Sequence, residues 1–284
     1  MRYLRMFIVA IALVIPLIFL FFGQTYLKKH MAALQYIPTK STIVEEKEVV
    51  QKVQPKKQVV VKKPMEQPVQ VKEKKKRIIV IDPGHQRYRD QRLEPIGPDS
   101  HTWKPKMPAS AYGVSTGQAE YALTLQVANR IKERLDASKY EVKLTRTEHV
   151  IAKSTKERAE FANKQNADLY IQLHADGAKD ANGRGMYIIM AHENNRYTKK
   201  LMEANRKVSQ VLLQEIKSAK LDTHKKGLLY ADQMTALNWP NMPSVIVELG
   251  YLNNRQDDER LAKTAYQNRI AEALARGIEK AVEQ

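Results

Sequence analysis

The segment Arg77–His85, RIIVIDPGH, is a short apolar run that leads directly into an aspartate, a proline, a glycine and a histidine. Ile78–Ile81 has the continuous apolar composition of a strand that is buried on both faces. The proline and glycine that follow predict a turn. We therefore expect the His85 imidazole to lie where a buried strand ends.

Two later segments of the chain repeat this arrangement. Leu169–Leu173 is another apolar run and leads into His174, while Ser244–Val247 leads into Glu248. A charged carboxylate at the mouth of a buried strand needs a cation or hydrogen-bond donors, because an unpaired buried charge costs several kcal/mol. Three such strand ends on one sheet edge would form a site.

From Arg77 onward, strand-like runs alternate with amphipathic helical stretches. The predicted strands are Arg77–Ile81, Glu141–Thr145, Leu169–Leu173, Gly185–Ile189 and Ser244–Val247. The predicted helix faces are Leu123, Val127, Ile131 and Leu135, then Leu201, Asn205, Val208, Leu212 and Ile216, and last Ile270, Leu274, Ile278 and Val282. Ser154 and Glu157 form a capping-box pattern that predicts a further helix across Arg158–Gln165. The alternation predicts a single α/β domain with a mostly parallel central sheet flanked by helices on both faces.

In such folds, the residues that bind ligands lie at the carboxyl ends of the strands. The chain has no cysteine, so a metal would need His, Asp or Glu ligands. Two imidazoles and one carboxylate form an open catalytic zinc site with room for water, and a second carboxylate must accept the proton of that water. Glu120, near the start of a predicted helix, is the candidate for the additional carboxylate. The alternative to a metal site is that His85 and His174 are structural or surface residues and that Glu120 is an ordinary glutamate in the first turn of a helix. The residues alone also leave open which of the two glutamates binds the metal.

Four segments, in this order, resemble the zinc N-acetylmuramoyl-L-alanine amidases of the type-3 amidase family. They are IVIDPGH ending at His85, TGQAEYAL containing Glu120, ERAEFANKQNADLYIQLHAD containing His174, and PSVIVELGYLNN containing Glu248. The resemblance covers residues 77–284. It implies that His85, Glu120 and His174 bind Zn²⁺ and that Glu248 is the catalytic base.

The resemblance also implies the substrate, which is the peptidoglycan amide that joins the lactyl group of N-acetylmuramic acid to L-alanine. Asp82 and Asp176 are candidate hydrogen-bond partners of the two imidazoles, because metal-bound histidines usually donate their second N–H to a carboxylate or carbonyl. Both aspartates could instead be turn residues. The remaining histidines are expected at the surface: His30, His101, His149, His192 and His224.

The segment Gln86–Gly117 departs from the family pattern, because many members have a much shorter connection between the first histidine and the ligand glutamate. It is rich in proline and carries Tyr88, Trp103 and Tyr112. Long surface loops add little closure entropy, so the fold and the zinc site should tolerate the insertion. We expect it to line the substrate groove or to act as a lid, the alternative being an ornamental loop.

The N-terminal region, residues 1–30, has the features of a membrane anchor. Met6–Phe22 is apolar without interruption, with Arg2 and Arg5 before it and lysines after it. Seventeen residues is the short end of a membrane span. The positive-inside tendency predicts a single-pass protein of the cell membrane whose catalytic domain faces the cell-wall space. Cleavage as a signal sequence would instead release the domain, although small residues suited to cleavage are poorly placed.

Residues 31–76 form a basic Val/Lys/Pro-rich segment, which we interpret as a disordered spacer rather than as strands. The net charge of the chain is +17, and residues 1–76 hold 15 basic against 5 acidic side chains. Such a tail favours anionic wall polymers or lipid headgroups. The expected topology excludes nucleic acid as a normal partner.

Two other functions fit the same residues. A zinc carboxypeptidase or peptidase could use two histidines and two glutamates to cut elsewhere in the stem peptide. A non-catalytic wall-binding scaffold could rely on the basic tail alone, although it would have no need for a buried metal site and base.

Overall fold

The structure is a computed structural model that describes residues 75–177 and 183–283. The predicted anchor and nearly all of the predicted spacer lie outside these ranges. Among the helices of the described residues, none is both long and apolar enough to cross a membrane.

Eight strands and six α-helices make up the described part of the chain. The strands are β1 (Arg77–Pro83), β2 (Asp90–Pro95), β3 (Trp103–Met107), β4 (Tyr140–Leu144), β5 (Leu169–Asp176), β6 (Met186–Met190), β7 (Thr223–Tyr230) and β8 (Ser244–Tyr251). The helices are α1 (Glu120–Arg134), α2 (Thr155–Lys164), α3 (Met202–Ser218), α4 (Thr235–Asn238), α5 (Arg255–Leu261) and α6 (Thr264–Glu283), and a 3₁₀ turn at Lys199–Leu201 precedes α3.

The central sheet has six strands in the order β4-β1-β5-β8-β6-β7. The first four strands are parallel, whereas β6 pairs with β8 in the antiparallel direction and β7 runs parallel to β6. The predicted single α/β domain with a mostly parallel sheet is therefore confirmed. The carboxyl ends of β1, β5 and β8 lie at one edge of this sheet, as parallel strands require.

Helices cover both faces of the sheet. Successive side chains of each strand point to opposite faces, so the apolar strands contribute to one core on each side. Ile79 and Ile81 of β1 pack into the larger core with apolar side chains of α1, α3 and α6. Val80 points the other way and packs with Ala159 and Ala162 of α2. Most residues of the three predicted helix faces lie in the larger core, and Val282 packs against it. Leu201 is half-buried, and the buried Asn205 accepts the N–H of Ser244 instead.

Helix α2 begins where the capping box predicts. The backbone N–H of Glu157 donates to the Ser154 hydroxyl at 3.1 Å, and the N–H of Ser154 donates to the Glu157 carboxylate at 2.7 Å. The sequence did not predict β7, nor the short helices α4 and α5. It also did not predict that β2 and β3 form an antiparallel hairpin inside the insertion. β8 continues four residues beyond its predicted end at Val247.

Candidate metal centre

The turn after β1 brings two histidines together. His85 has a positive φ of 59°, a left-handed conformation that non-glycine residues seldom adopt and that costs free energy. Gly84 packs so closely against the neighbouring strand that a Cβ atom there would lie 2.6 Å from Cε1 of His174. Glycine is therefore required at this position for the imidazole of His174 to approach the turn.

Two buried guanidinium groups fix the three consecutive carbonyls of Pro83–His85. Arg146 donates to the first two of them, at 2.9 and 3.1 Å. Arg158 donates to the first and the third, at 2.9 and 2.8 Å. Arg158 also pairs with Asp82 at 2.9 Å, and both side chains are almost fully buried. Burial disfavours ionisation of Asp82, but the charge of Arg158 and the hydrogen bonds to this carboxylate hold its pKa below the usual range.

Glu120 opens helix α1 and lies between the two imidazoles. Its carboxylate oxygens are 3.2 Å from Nε2 of His85 and 3.0 Å from Nδ1 of His174. The backbone N–H groups of Ala111 and Ala175 donate to the same carboxylate at 3.0 and 3.1 Å. Burial opposes ionisation of Glu120, but the two histidines outweigh it and lower its pKa below the usual range. The same carboxylate raises the pKa of His85 against the effect of burial.

One ligand atom from each of His85, Glu120 and His174 lies within 4.8 Å of the other two. The two imidazole rings approach edge to face, with centroids 4.9 Å apart. Two neutral imidazoles and a carboxylate form a donor set that transition metals bind, and zinc above all in catalytic sites. The geometry therefore fits a single metal ion.

Glu248 lies next to this group on β8, directly opposite His174 in the strand register. It is 8 % exposed, and its Oε2 atom has no hydrogen-bond partner within residues 75–177 and 183–283. Burial raises the pKa of Glu248 well above its ordinary value, and the negative charges of Glu120 and Asp176 add to this effect. A buried carboxylate without such a partner suits proton transfer better than structural support.

The family model Amidase_3, described as N-acetylmuramoyl-L-alanine amidase, matches residues 79–280. The chain belongs to this family. The match spans every strand of the central sheet and all four residues discussed above, so the candidate metal centre lies within the amidase domain.

Individual relatives of this amidase domain are distant in sequence. The N-acetylmuramoyl-L-alanine amidase Rv3717 of Mycobacterium tuberculosis is 25 % identical over 211 residues, which cover 71 % of this chain and 84 % of that protein. The crystal structure of the amidase Ami1 from Mycobacterium smegmatis shares the fold with a TM-score of 0.66 at 22 % identity, covering 73 % of this chain and 97 % of that one. The amidase AmiC2 of Nostoc punctiforme is 28 % identical, with a TM-score of 0.54, and covers 73 % and 98 %.

The structure brings together the predicted residues His85, Glu120, His174 and Glu248, although they lie far apart in the sequence of the amidase domain. The prediction that Asp82 contacts an imidazole is wrong. Its carboxylate accepts hydrogen bonds from Arg158, Thr145 and Tyr170 instead, because the buried Arg158 is the stronger competitor for a carboxylate.

The second N–H of His85 faces a backbone carbonyl of the insertion, with its Nδ1 atom 3.2 Å from the oxygen of Pro108. Asp176, the other aspartate proposed as an imidazole partner, accepts the hydroxyl of Tyr187 at 2.5 Å. The end of the insertion thus contributes directly to the centre, since Ala111 donates to Glu120 as described above. A backbone group carries no residue signature, so the sequence could not have identified these contacts.

A cavity of about 260 Å³ lies beside the two histidines. One wall consists of Lys104, Pro105 and Met107 from β3, and the facing wall includes Met234 and Ala236. The insertion therefore lines this cavity, and its role in substrate binding stays a prediction.

The other histidines take no part in the described centre. His101, His149 and His192 are exposed, as predicted. The prediction for His224 is wrong, because this residue is half-buried with its ring 5.6 Å from that of Tyr187. His30 lies outside the described residues. Sequence reasoning missed Arg146 and Arg158, because arginine is typical of a solvent-facing position.

Proposed function

We propose that this chain is a peptidoglycan hydrolase that cleaves the amide bond between N-acetylmuramic acid and L-alanine of the stem peptide. Membership of the amidase family supports the reaction, and the relatives from Mycobacterium and Nostoc described above carry the same activity in their names. The observation that carries the proposal is the convergence of His85, Glu120 and His174 beside the buried Glu248.

We further propose that the resident metal is Zn²⁺, held by His85, Glu120 and His174. The donor set of two imidazole nitrogens and one carboxylate oxygen fits this ion, and three protein ligands leave a position for water or substrate. When bound, the ion supplies Lewis-acid activation of water and of the scissile carbonyl.

The side chains of the chain itself have distinct tasks in this proposal. Glu248 accepts the proton of the attacking water and returns it to the nitrogen of the leaving L-alanine, so one carboxylate acts first as base and then as acid. Glu120 stays ionised because its surroundings stabilise the negative charge. The buried Arg146 and Arg158 keep His85 in its strained conformation and so maintain the spacing of the ligands.

The test is digestion of purified peptidoglycan by the recombinant chain, with and without a chelator, together with measurement of bound zinc and mass analysis of the products. An amidase releases intact stem peptides that begin with a free L-alanine amino group. Stem fragments that begin at another residue would instead identify a peptidase, and a preparation active without metal would refute the zinc proposal.

For the cellular location, we propose that residues 1–30 anchor the chain in the cell membrane and that the catalytic domain faces the wall, where residues 31–76 also contact anionic polymers. The apolar Met6–Phe22 segment and the basic composition of the spacer support this proposal. Without protease, the chain should be found in the membrane fraction. Protease added to intact protoplasts should then digest its catalytic domain. A domain protected until the cells are lysed would contradict the orientation.

A further inference from the structure

The hairpin formed by β2 and β3 is fixed to the domain through one of its faces. The Glu94 carboxylate accepts the N–H of Lys156 at 2.9 Å, and the Lys104 ammonium donates to the carbonyl of Gln233 at 2.5 Å. Glu94 and Lys104 are opposite each other in the register, so their side chains leave the hairpin on the same side. These contacts hold the hairpin in place and argue against a free lid.

The other face of the hairpin points away from these contacts and is apolar. Leu93 lies opposite Pro105 and Pro95 lies opposite Trp103, so these four side chains share that face. We call them the hairpin strip: Leu93, Pro95, Trp103 and Pro105. Leu93 is 57 % exposed and Trp103 is 54 % exposed. Adjacent exposed apolar side chains of this size often mark a binding surface.

The hairpin strip is continuous with the candidate metal centre. Pro105 lines the cavity beside the two histidines, and three residues later the carbonyl of Pro108 contacts His85. Five residues of extended chain separate Trp103 from Pro108, which corresponds to about 16 Å at the usual rise of a strand. A polymer strand that enters the cavity is long enough to reach Trp103 as well.

We propose that the hairpin strip binds the glycan strand of peptidoglycan several sugar units away from the amide that is cut. The proposal rests on the proposed function, because it takes the substrate to be this polymer. The C–H faces of pyranose rings are apolar and flat, so they pack against an indole ring while their hydroxyl groups stay in water. The proline and leucine side chains extend this surface along the hairpin toward the cavity.

The direct test measures binding of soluble glycan strands, stripped of their stem peptides, to the full zinc-loaded chain. We expect Trp103→Ala to weaken binding about tenfold, the loss that follows removal of an aromatic anchor from an interface. Trp103→Tyr keeps a flat ring and should stay within about threefold of the wild type. Val150→Ala removes an equally exposed apolar side chain from the loop after β4 and should have no effect. Equal binding by the wild type and Trp103→Ala would overturn the inference and leave the strip as a surface for a protein partner.

A second measurement compares hydrolysis of polymeric peptidoglycan with hydrolysis of a soluble muramoyl dipeptide. The ratio of kcat/KM on the polymer to kcat/KM on the dipeptide should fall about tenfold in Trp103→Ala, through KM, and remain at the wild-type value in Val150→Ala. An equal loss on both substrates would show a structural role for Trp103 and overturn the inference. If the wild type cuts neither substrate, the proposed function fails, and binding of the stripped glycan strands still decides the role of the strip.

Discussion

Two glutamates at the same end of the domain have opposite surroundings. The carboxylate of Glu120, at the start of α1, contacts two imidazoles and accepts hydrogen bonds from two backbone N–H groups. Glu248, on β8, is as deeply buried, but its Oε2 atom has no hydrogen-bond partner among the described residues. The electrostatic result is a lowered pKa for Glu120 and a raised pKa for Glu248.

In our proposal, this difference gives the two carboxylates different chemistry. A group whose negative charge is stabilised in the folded protein is suited to metal binding, whereas a group whose charge is disfavoured is suited to carrying a proton. Residue type and position alone left the two roles interchangeable, and only the family resemblance implied which glutamate has which role. Burial and partners distinguish them, and those follow from the tertiary structure.

The strongest test of this comparison is Glu248→Gln. We expect turnover of peptidoglycan to fall by about 10³-fold or more, because the amide keeps the shape of the side chain but cannot take a proton from water. Zinc content should stay at the wild-type value, measured by elemental analysis of the dialysed protein. Loss of the metal in this variant would make Glu248 a ligand and reverse the two assignments.

A third buried carboxylate, Asp82, extends the comparison because it forms a buried ion pair with Arg158. Arg158→Met should destabilise the fold by about 3–5 kcal/mol, since it leaves the charge of Asp82 buried without its main partner. Urea unfolding of the metal-free protein measures this loss. The control is Arg92→Met, which breaks the solvent-exposed pair with Asp90 and should leave the urea midpoint almost unchanged. A similar small cost in both variants would show that Asp82 is solvated after all.

Glu120→Gln tests the other half of the comparison through metal binding. Zinc affinity should fall by about 100-fold or more. Mutation of a residue that only hydrogen-bonds to a metal ligand lowers metal affinity about ten- to a hundredfold, and Glu120 is a direct ligand in our proposal. Competition with a chromogenic chelator gives the affinity, and added zinc should restore part of the turnover. Glu248→Gln serves as the matched control, since the same amide substitution there should leave the affinity unchanged.

The sequence predicted five of the six strands of the central sheet, all but β7. It predicted His85, His174 and Glu248 because each follows an apolar run, and Glu120 because it lies near the start of a predicted helix. It did not predict the roles of Arg146 and Arg158, whose burial depends on the distant Pro83–His85 turn. The β2–β3 hairpin was also missed, because prolines at both strands and an exposed outer face remove the alternation that marks a strand. A local sequence pattern does not show which distant group each polar side chain contacts.

The smallest expected effect comes from a glutamate outside the centre. Glu215 on α3 pairs with Lys280 at 2.6 Å and with Arg276 at 3.0 Å, and both cations are largely exposed. Glu215→Gln should cost at most about 1 kcal/mol and leave zinc binding and turnover unchanged, because water screens the charges of both cationic partners.

The pH dependence of stability gives this prediction its sign. Hydrogen bonds from Lys280 and Arg276 lower the pKa of Glu215, so its contribution is complete above the unfolded-state value of about 4.3 and disappears as the pH falls through the folded-state pKa. Wild-type protein should therefore lose slightly more stability than Glu215→Gln between about pH 5 and pH 3 in urea unfolding. A variant that lost more stability than the wild type on acidification would show that the carboxylate is not ionised in the folded state. The same substitution would then have three outcomes at three sites, in turnover, in metal affinity and in a small change of stability, each set by the partners of the carboxylate.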